Sequence, residues 1–228
     1  MRVLLTGFAP FPGVPVNATM ALVPQLAERA KSRFPGTKLS AAVLATEWLA
    51  APRQLDVLLA QARPDLILHF GVSGRARGFE IELRGQNRCL PAADAGGALP
   101  VSAAVRADGP EMLRASLPVN YIVARLRRRG IPAFVSRDAG GYLCNATLYH
   151  SLAAARTEPG RRVGFIHIPA SLAWPTAAGR GRSGACPLTW AQALEGGLEI
   201  LAVCLNRFAA AAPKPMLAAP SASALRGP

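Results

Sequence analysis

The chain has 228 residues, 51 % of them apolar, enough for one well-covered core and consistent with a single domain. Its net charge of +13, from 26 basic and 13 acidic residues, would suit nucleic acid. Yet the arginines are dispersed apart from Arg127, Arg128 and Arg129, with no aromatic interleaving, helix-turn-helix or zinc-finger pattern, so nucleic-acid binding is not the expectation.

Apolar runs of strand length alternate with longer helical patterns. "RVLLTGF" (2–8) reads as a first strand, and the opening "MRVLLTGFAPFPG" lacks the apolar length and cleavage site of a signal peptide. A helix is expected over 17–34 with Asn17 as its cap, kinked or delayed by Pro24. "LSAAVLAT" (39–46) is strand-like, "LAAPRQLDVLLAQARP" helical up to Pro64, and "DLILHFGVS" a fully buried strand. "EIELRGQN" (80–87) alternates weakly, and residues 91–116, rich in Pro, Gly and Ala, read as a long loop. A helix stopped by Gly130 and Pro132 follows, then the strand "AFVSRDA", the helix "YLCNATLYHSLAAA", the strand "RVGFIHIPA" and a long closing helix.

This alternation predicts a three-layer α/β/α sandwich, a twisted and mostly parallel (mixed) sheet with helices on both faces, over residues 1–212. The low-complexity segment 213–228 is expected to be disordered. No apolar run approaches the ~20 residues of a membrane span, and a cytoplasmic protein is expected.

Four cysteines, Cys89, Cys144, Cys186 and Cys204, are scattered without a CxxC pair, so neither a disulfide framework nor a zinc site is expected. Cys144 is the exception in context. It follows Gly140 and Gly141 and stands about where a helix begins, a position that favours thiolate and offers unpaired N–H groups to an oxyanion. A lone cysteine in apolar surroundings is ordinarily a small core residue, so a nucleophile here needs a base. His150 lies six residues along the same helix, ~600° of rotation away, and faces elsewhere. His167, in a β run that breaks at Pro169, fits better, because sites in open α/β sheets gather beyond strand ends. His69 reads as a structural histidine. A catalytic imidazole also needs an orienting group. Glu80 and Glu82 share one face of their strand, and periodicity does not choose between them.

Four ordered segments, "LLTGFAPFPG…N", "LHFGVSGR…IELRGQN", "SRDAGGYLCN" and "GFIHIP", resemble the type I pyroglutamyl peptidases (pyrrolidone-carboxylate peptidases), a family of cysteine peptidases, over residues 1–212. The resemblance implies a triad of Glu82, Cys144 and His167, with the glutamate thirteen residues after His69 and five before Asn87. It implies an omega exopeptidase that hydrolyses the bond after an N-terminal pyroglutamyl residue through a thioester, with no metal and no cofactor. Its partners would be peptides capped by pyroglutamate, and a homodimer or homotetramer is compatible with the family. By the same resemblance Phe8, Phe11, Val72, Tyr142 and Leu143 wall the substrate pocket and Asn17 supplies a polar contact.

The chain also departs from the family pattern. Pro12-Gly13 replaces a glycine pair and stiffens the substrate loop, and Asn17 is followed by Ala18 rather than proline. Leu83 stands where arginine usually follows the glutamate. "CLPAADAGG" blurs an Asp-x-Arg-x-Pro-Asp motif, leaving Asp94 as its last aspartate and no clear equivalent of its arginine. Asp138 adds a carboxylate beside the nucleophile turn that, if close, would oppose thiolate formation. These departures motivate an alternative, a weakly catalytic relative that binds capped peptides; the charge leaves a basic nucleic-acid binder as a second alternative.

Overall fold

Residues 1–172, 175–176, 179–180 and 186–211 are described by the computed structural model; the expected disordered tail, 213–228, lies outside the described residues. The β-branched and leucine-rich runs of β1 (Arg2–Phe8), β3 (Leu66–Ser73) and β8 (Arg162–Pro169) are buried almost throughout, because helices cover both of their faces. They form the centre of a six-stranded sheet of order β2-β1-β3-β8-β4-β7, with β2 (Lys38–Leu44) and β7 (Ala133–Ser136) at its edges. β2, β1, β3 and β8 are parallel, whereas β4 (Phe79–Glu82) runs antiparallel to β8 and parallel to β7.

One face carries α1 (Ala18–Arg33), α3 (Val119–Arg128) and α5 (Trp190–Ala211), whose Leu22, Leu26, Ile122, Leu126, Leu194 and Leu201 belong to one core cluster. The other face carries α2 (Ala50–Ala62) and α4 (Leu143–Ala155), whose Leu55, Leu59, Leu148 and Leu152 pack with Phe165 in a second cluster. The α/β/α layering expected from the alternation is thus present. No described helix is long and apolar enough to cross a membrane.

Two local expectations need correction. Pro24 sits inside α1 without ending it, since its position is exposed and the missing N–H lies on the solvent side. The expected strand over 80–87 divides at Leu83: β4 stays in the main sheet, and β5 (Arg84–Gln86) leaves to pair antiparallel with β6 (Met112–Arg114). The 91–116 excursion therefore contains a strand, too short for alternation to reveal. Two-residue strands β9 (Pro175–Thr176) and β10 (Gly179–Arg180) pair ahead of α5.

Candidate active site

The antiparallel direction of β4 creates the site. His167 lies near the end of β8, and the register sets Glu80 opposite it, with Glu82 two residues further along β4. Both glutamates share its face. Glu82, fully buried, accepts a 2.8 Å hydrogen bond at Oε1 from His167 Nδ1, while Oε2 is buried with no partner among the described residues. Glu80 is half-buried and lines the adjoining cleft. Of the two, Glu82 is the one that is fully buried and hydrogen-bonded to the ring.

Cys144 lines the same cleft as His167 and acts on its ring electrostatically. Burial disfavours a charged ring, but the charge and hydrogen bond of Cys144, then those of Glu82, prevail and push the imidazole up to about 10. Cys144 is the second residue of α4, whose first N–H groups have no partner one turn back. Gly140, at φ 83°, makes the left-handed turn that feeds this helix. Asn145, next to the thiol and fully buried, accepts from Gln86 N at 2.8 Å and donates to Gln86 O and Arg88 O at 2.8 and 2.9 Å. The helix start is thereby tied to β5, and so to the strand that carries Glu82. Sequence reasoning missed this role; its signal was an amide side chain directly after Cys144.

Cys144 and His167 open onto a cleft of about 600 Å³ whose walls include Phe11, Val14, Val72 and Tyr142, with Arg75, Glu80 and Arg137 among its charged lining. Phe11 and Val14 exchange backbone hydrogen bonds of 3.2 and 2.8 Å across Pro12-Gly13, and Gly13 has φ 82°, which fits a type II turn. That turn holds Phe11 with its ring centroid 5.6 Å from that of Tyr142, and Tyr142 meets Trp48 edge-on at 5.2 Å.

Asp94 fixes this wall from behind. Its oxygens accept from Trp48 N at 2.8 Å and from Gly96 N and Ala98 N at 2.9 Å. Burial opposes its charge, yet these backbone donors hold the carboxyl below its usual range. Trp48 Nε1 donates to Ala92 O and the Tyr142 hydroxyl to Ala93 O. Trp48 had no motif to mark it.

Of the pocket residues expected from the resemblance, Phe11, Val72 and Tyr142 line the cleft; Phe8, Asn17 and Leu143 do not. Phe8 and Leu143, each 2 % exposed, pack in the core beneath α2 and α4. Asn17, 1 % exposed, caps α1 through Thr19 and donates to Ala9 O, so it shapes the loop rather than meeting a ligand. Asp138 is countered by Arg88 at 3.0 Å and accepts from Gly140 N at 3.1 Å, which ties it to the turn. Leu90 covers Gly141, and a β-carbon there would stand 2.4 Å from Leu90 Cγ.

The other histidines serve elsewhere. His69, fully buried, lies between Thr6 Oγ1 at 2.6 Å and Ser151 Oγ at 2.9 Å; burial, then the charge of His150, pushes it down to about 3. His150 contacts Asp56 at 2.6 Å. Among the described residues, one group of three metal-ligating types comes together, Glu80, Glu82 and His167, with ligand atoms within 4.8 Å of one another.

Comparison with known proteins gives a consistent result. A family profile described as pyroglutamyl peptidase matches residues 1–196. The pyrrolidone-carboxylate peptidase of Gloeobacter violaceus is 39 % identical over 172 residues, 74 % of this chain and 82 % of that protein. That of Chromobacterium violaceum is 36 % identical over 170 residues, 73 % and 77 % of the two chains. Among solved structures, the pyroglutamyl peptidase I of Bacillus amyloliquefaciens superposes with a TM-score of 0.79 at 26 % identity, covering 91 % of this chain and 98 % of that one. A mutant pyrrolidone carboxyl peptidase of Pyrococcus furiosus gives 0.80 at 27 % identity, covering 91 % and 100 %. With a profile spanning most of its length and relatives this similar, the chain belongs to the pyroglutamyl peptidase family.

Proposed function

We propose that this chain is a cysteine exopeptidase that removes an N-terminal pyroglutamyl residue from peptides, with Cys144 as nucleophile, His167 as acid and base, and Glu82 holding the ring. The observation that carries this reading is the hydrogen bond from His167 to buried Glu82, with His167 and Cys144 lining one cleft that has an aromatic wall.

Each step follows from that arrangement. His167 takes the Cys144 proton as the sulfur attacks the carbonyl carbon of the pyroglutamyl residue. The oxyanion forms beside the unpaired N–H groups that begin α4, and one such donor is worth roughly 10² to 10³ in rate. His167 passes its proton to the departing amine, leaving a thioester on Cys144. The neutral ring then takes a proton from water, whose oxygen displaces the sulfur and releases pyroglutamate. Glu82 keeps Nδ1 as a donor throughout, so the other nitrogen handles the moving proton.

The lactam ring is neutral, with one N–H and one C=O, and a largely apolar pocket suits it. Phe11, Val72 and Tyr142 supply such a wall. The charged remainder of the cleft is left for the departing peptide, and Cys144 must be a free thiol, which suits a reducing compartment such as the cytoplasm. A fluorogenic pyroglutamyl amide under reducing conditions tests the reading. Release of the fluorophore, with none from the matching prolyl amide, is expected; no release from either would refute it.

One observation favours a second reading, binding with slow turnover: two backbone hydrogen bonds between Phe11 and Val14 across Pro12-Gly13 stiffen the loop that carries Phe11. Tight retention of the uncleaved amide with kcat near background would support it.

A further inference from the structure

Two carboxylates stand beside one imidazole, and the triad uses only one of them. Glu80 lies directly across from His167 in the β4–β8 ladder, and an oxygen of Glu80, an oxygen of Glu82 and a ring nitrogen of His167 are within 4.8 Å of one another. Glu82 spends Oε1 on His167. Its Oε2 is sealed from solvent and meets no donor among the described residues, a costly state for a buried carboxylate oxygen. Glu80 is the neighbouring group able to supply a donor, provided it carries a proton.

We propose that Glu80 is a positioning residue for the reaction: its carboxyl shares a proton with Oε2 of Glu82, and the pair together orients His167. This rests on the peptidase reading above. In the resting state Glu80 O–H donates to Glu82 Oε2, while Glu82 Oε1 accepts from His167 Nδ1. No proton leaves the pair during turnover.

The electrostatic surroundings act in the same direction. Burial raises its carboxyl above the usual range, the charge of His167 pulls the other way, Glu82 raises it again and Arg75 lowers it. The remaining charged groups of the cleft are Arg137 and Asp138, on the segment after β7, and Cys144 on α4. Asp138 is engaged by Arg88. Two carboxylates this close do not readily ionise together, and Glu82 is the one that accepts from His167 Nδ1, so the proton rests on Glu80.

Loss of the Glu80 proton leaves two like charges side by side and Glu82 without its second hydrogen bond. The rate should therefore decline as pH rises past the Glu80 titration. The test compares E80A and E80Q with the wild type on a fluorogenic pyroglutamyl amide across pH, together with NMR titration of the His167 ring. E80A is expected to lower kcat roughly tenfold while KM stays within about twofold, because the loss is of orientation rather than binding. E80Q should recover most of that loss, since its amide N–H donates at every pH, and should lack the decline attributed to Glu80. In the NMR arm the wild-type His167 signals should report a carboxyl titration above the ordinary range that E80Q lacks. Wild-type kcat and pH profile in E80A, or E80Q as slow as E80A, would overturn the proposal. So would a wild-type His167 ring blind to any carboxyl titration, a readout that holds even for an enzyme found inactive on the reporter. An inactive wild type that shows the NMR titration would defeat the peptidase reading alone.

Discussion

A β-carbon added to Gly71 would stand 3.0 Å from the sulfur of Cys144, and 2.7 and 2.8 Å from two ring carbons of Phe165. Gly71 pairs with His167 in the β3–β8 ladder, so the bare backbone there makes the floor on which thiol and imidazole meet. Phe165 is wholly buried and has nowhere to retreat. Gly71→Ala is therefore expected to push the sulfur off His167. Overpacking of this kind costs about 1–3 kcal/mol of stability, and a displacement near 1 Å at reacting atoms costs up to about 10² in rate. A fall in kcat much larger than the shift in Tm accounts for is the expected pattern. Unchanged kcat would mean that the floor does not position the thiol.

Cys144→Ser should abolish turnover and leave the fold intact, because a hydroxyl fills the same space and keeps a hydrogen bond to His167. Iodoacetamide should label Cys144 ahead of the other three cysteines. Cys204 is wholly buried and burial pushes its thiol far up; burial raises that of Cys89 as well. His167→Asn should slow labelling of Cys144 without changing that of Cys186. Peptide mapping of the alkylated protein reads out both results, and labelling that begins at Cys89 or Cys186 would move the nucleophile away from α4.

His167 and His69 should titrate at opposite ends of the pH scale. His167 is pushed up to about 10 against the cost of its burial, first by Cys144 and then by Glu82; burial pushes His69 down to about 3. A histidine whose pKa rises on folding adds stability that is complete below ~6.5 and fades as pH climbs towards about 10. One whose pKa falls costs stability as pH drops below ~6.5 towards about 3, because the unfolded chain takes up the proton first. NMR titration of the ring signals checks this directly. Cys144→Ser and Glu82→Gln should each move the His167 midpoint down, and Glu82→Gln should impair kcat far more than Glu80→Gln. A His167 midpoint near the ordinary value in the wild type would mean that Cys144 and Glu82 do not raise the ring.

The sheet and its helices were legible because buried central strands read as continuous apolar runs, bounded by glycine and proline. Cys144 was legible for a local reason, the glycine pair before a helix start. What local pattern could not decide was any feature set by long-range pairing. Glu80 and Glu82 have the same periodicity, and only the antiparallel docking of β4 against β8, together with unequal burial, distinguishes them. Leu143 stands next to Tyr142 and Cys144 in the chain, and Phe8 and Asn17 stand near Phe11 and Val14, but strand and helix geometry turns them inward. Trp48 reaches the site through its ring contact with Tyr142 and is held by a hydrogen bond to Asp94 46 residues away, which no window of sequence displays.

The charge excess also has a structural outlet. Glu199, fully buried on α5, accepts from Arg33 at 2.6 Å, Arg129 at 3.2 Å and Arg125, tying α1 and α3 to α5. Burial opposes its charge, but Arg125 and Arg33 hold the carboxyl below its usual range. The arginine side chains are 34–42 % exposed and can rehydrate, which limits the cost of losing the acid. Glu199→Gln should thus cost about 1–3 kcal/mol, less than the ~3–5 of a fully buried pair, with kcat unchanged because the network lies on the sheet face opposite α4. At ~2–4 °C per kcal/mol in a chain of this size, the loss is measurable as a fall in Tm. A carboxyl lowered on folding stabilises above its unfolded pKa and stops doing so as pH falls through its folded one. The Tm difference between wild type and Glu199→Gln should accordingly hold at neutral pH and shrink in acid; a difference that grows in acid would show that the arginines, not Glu199, dominate the network.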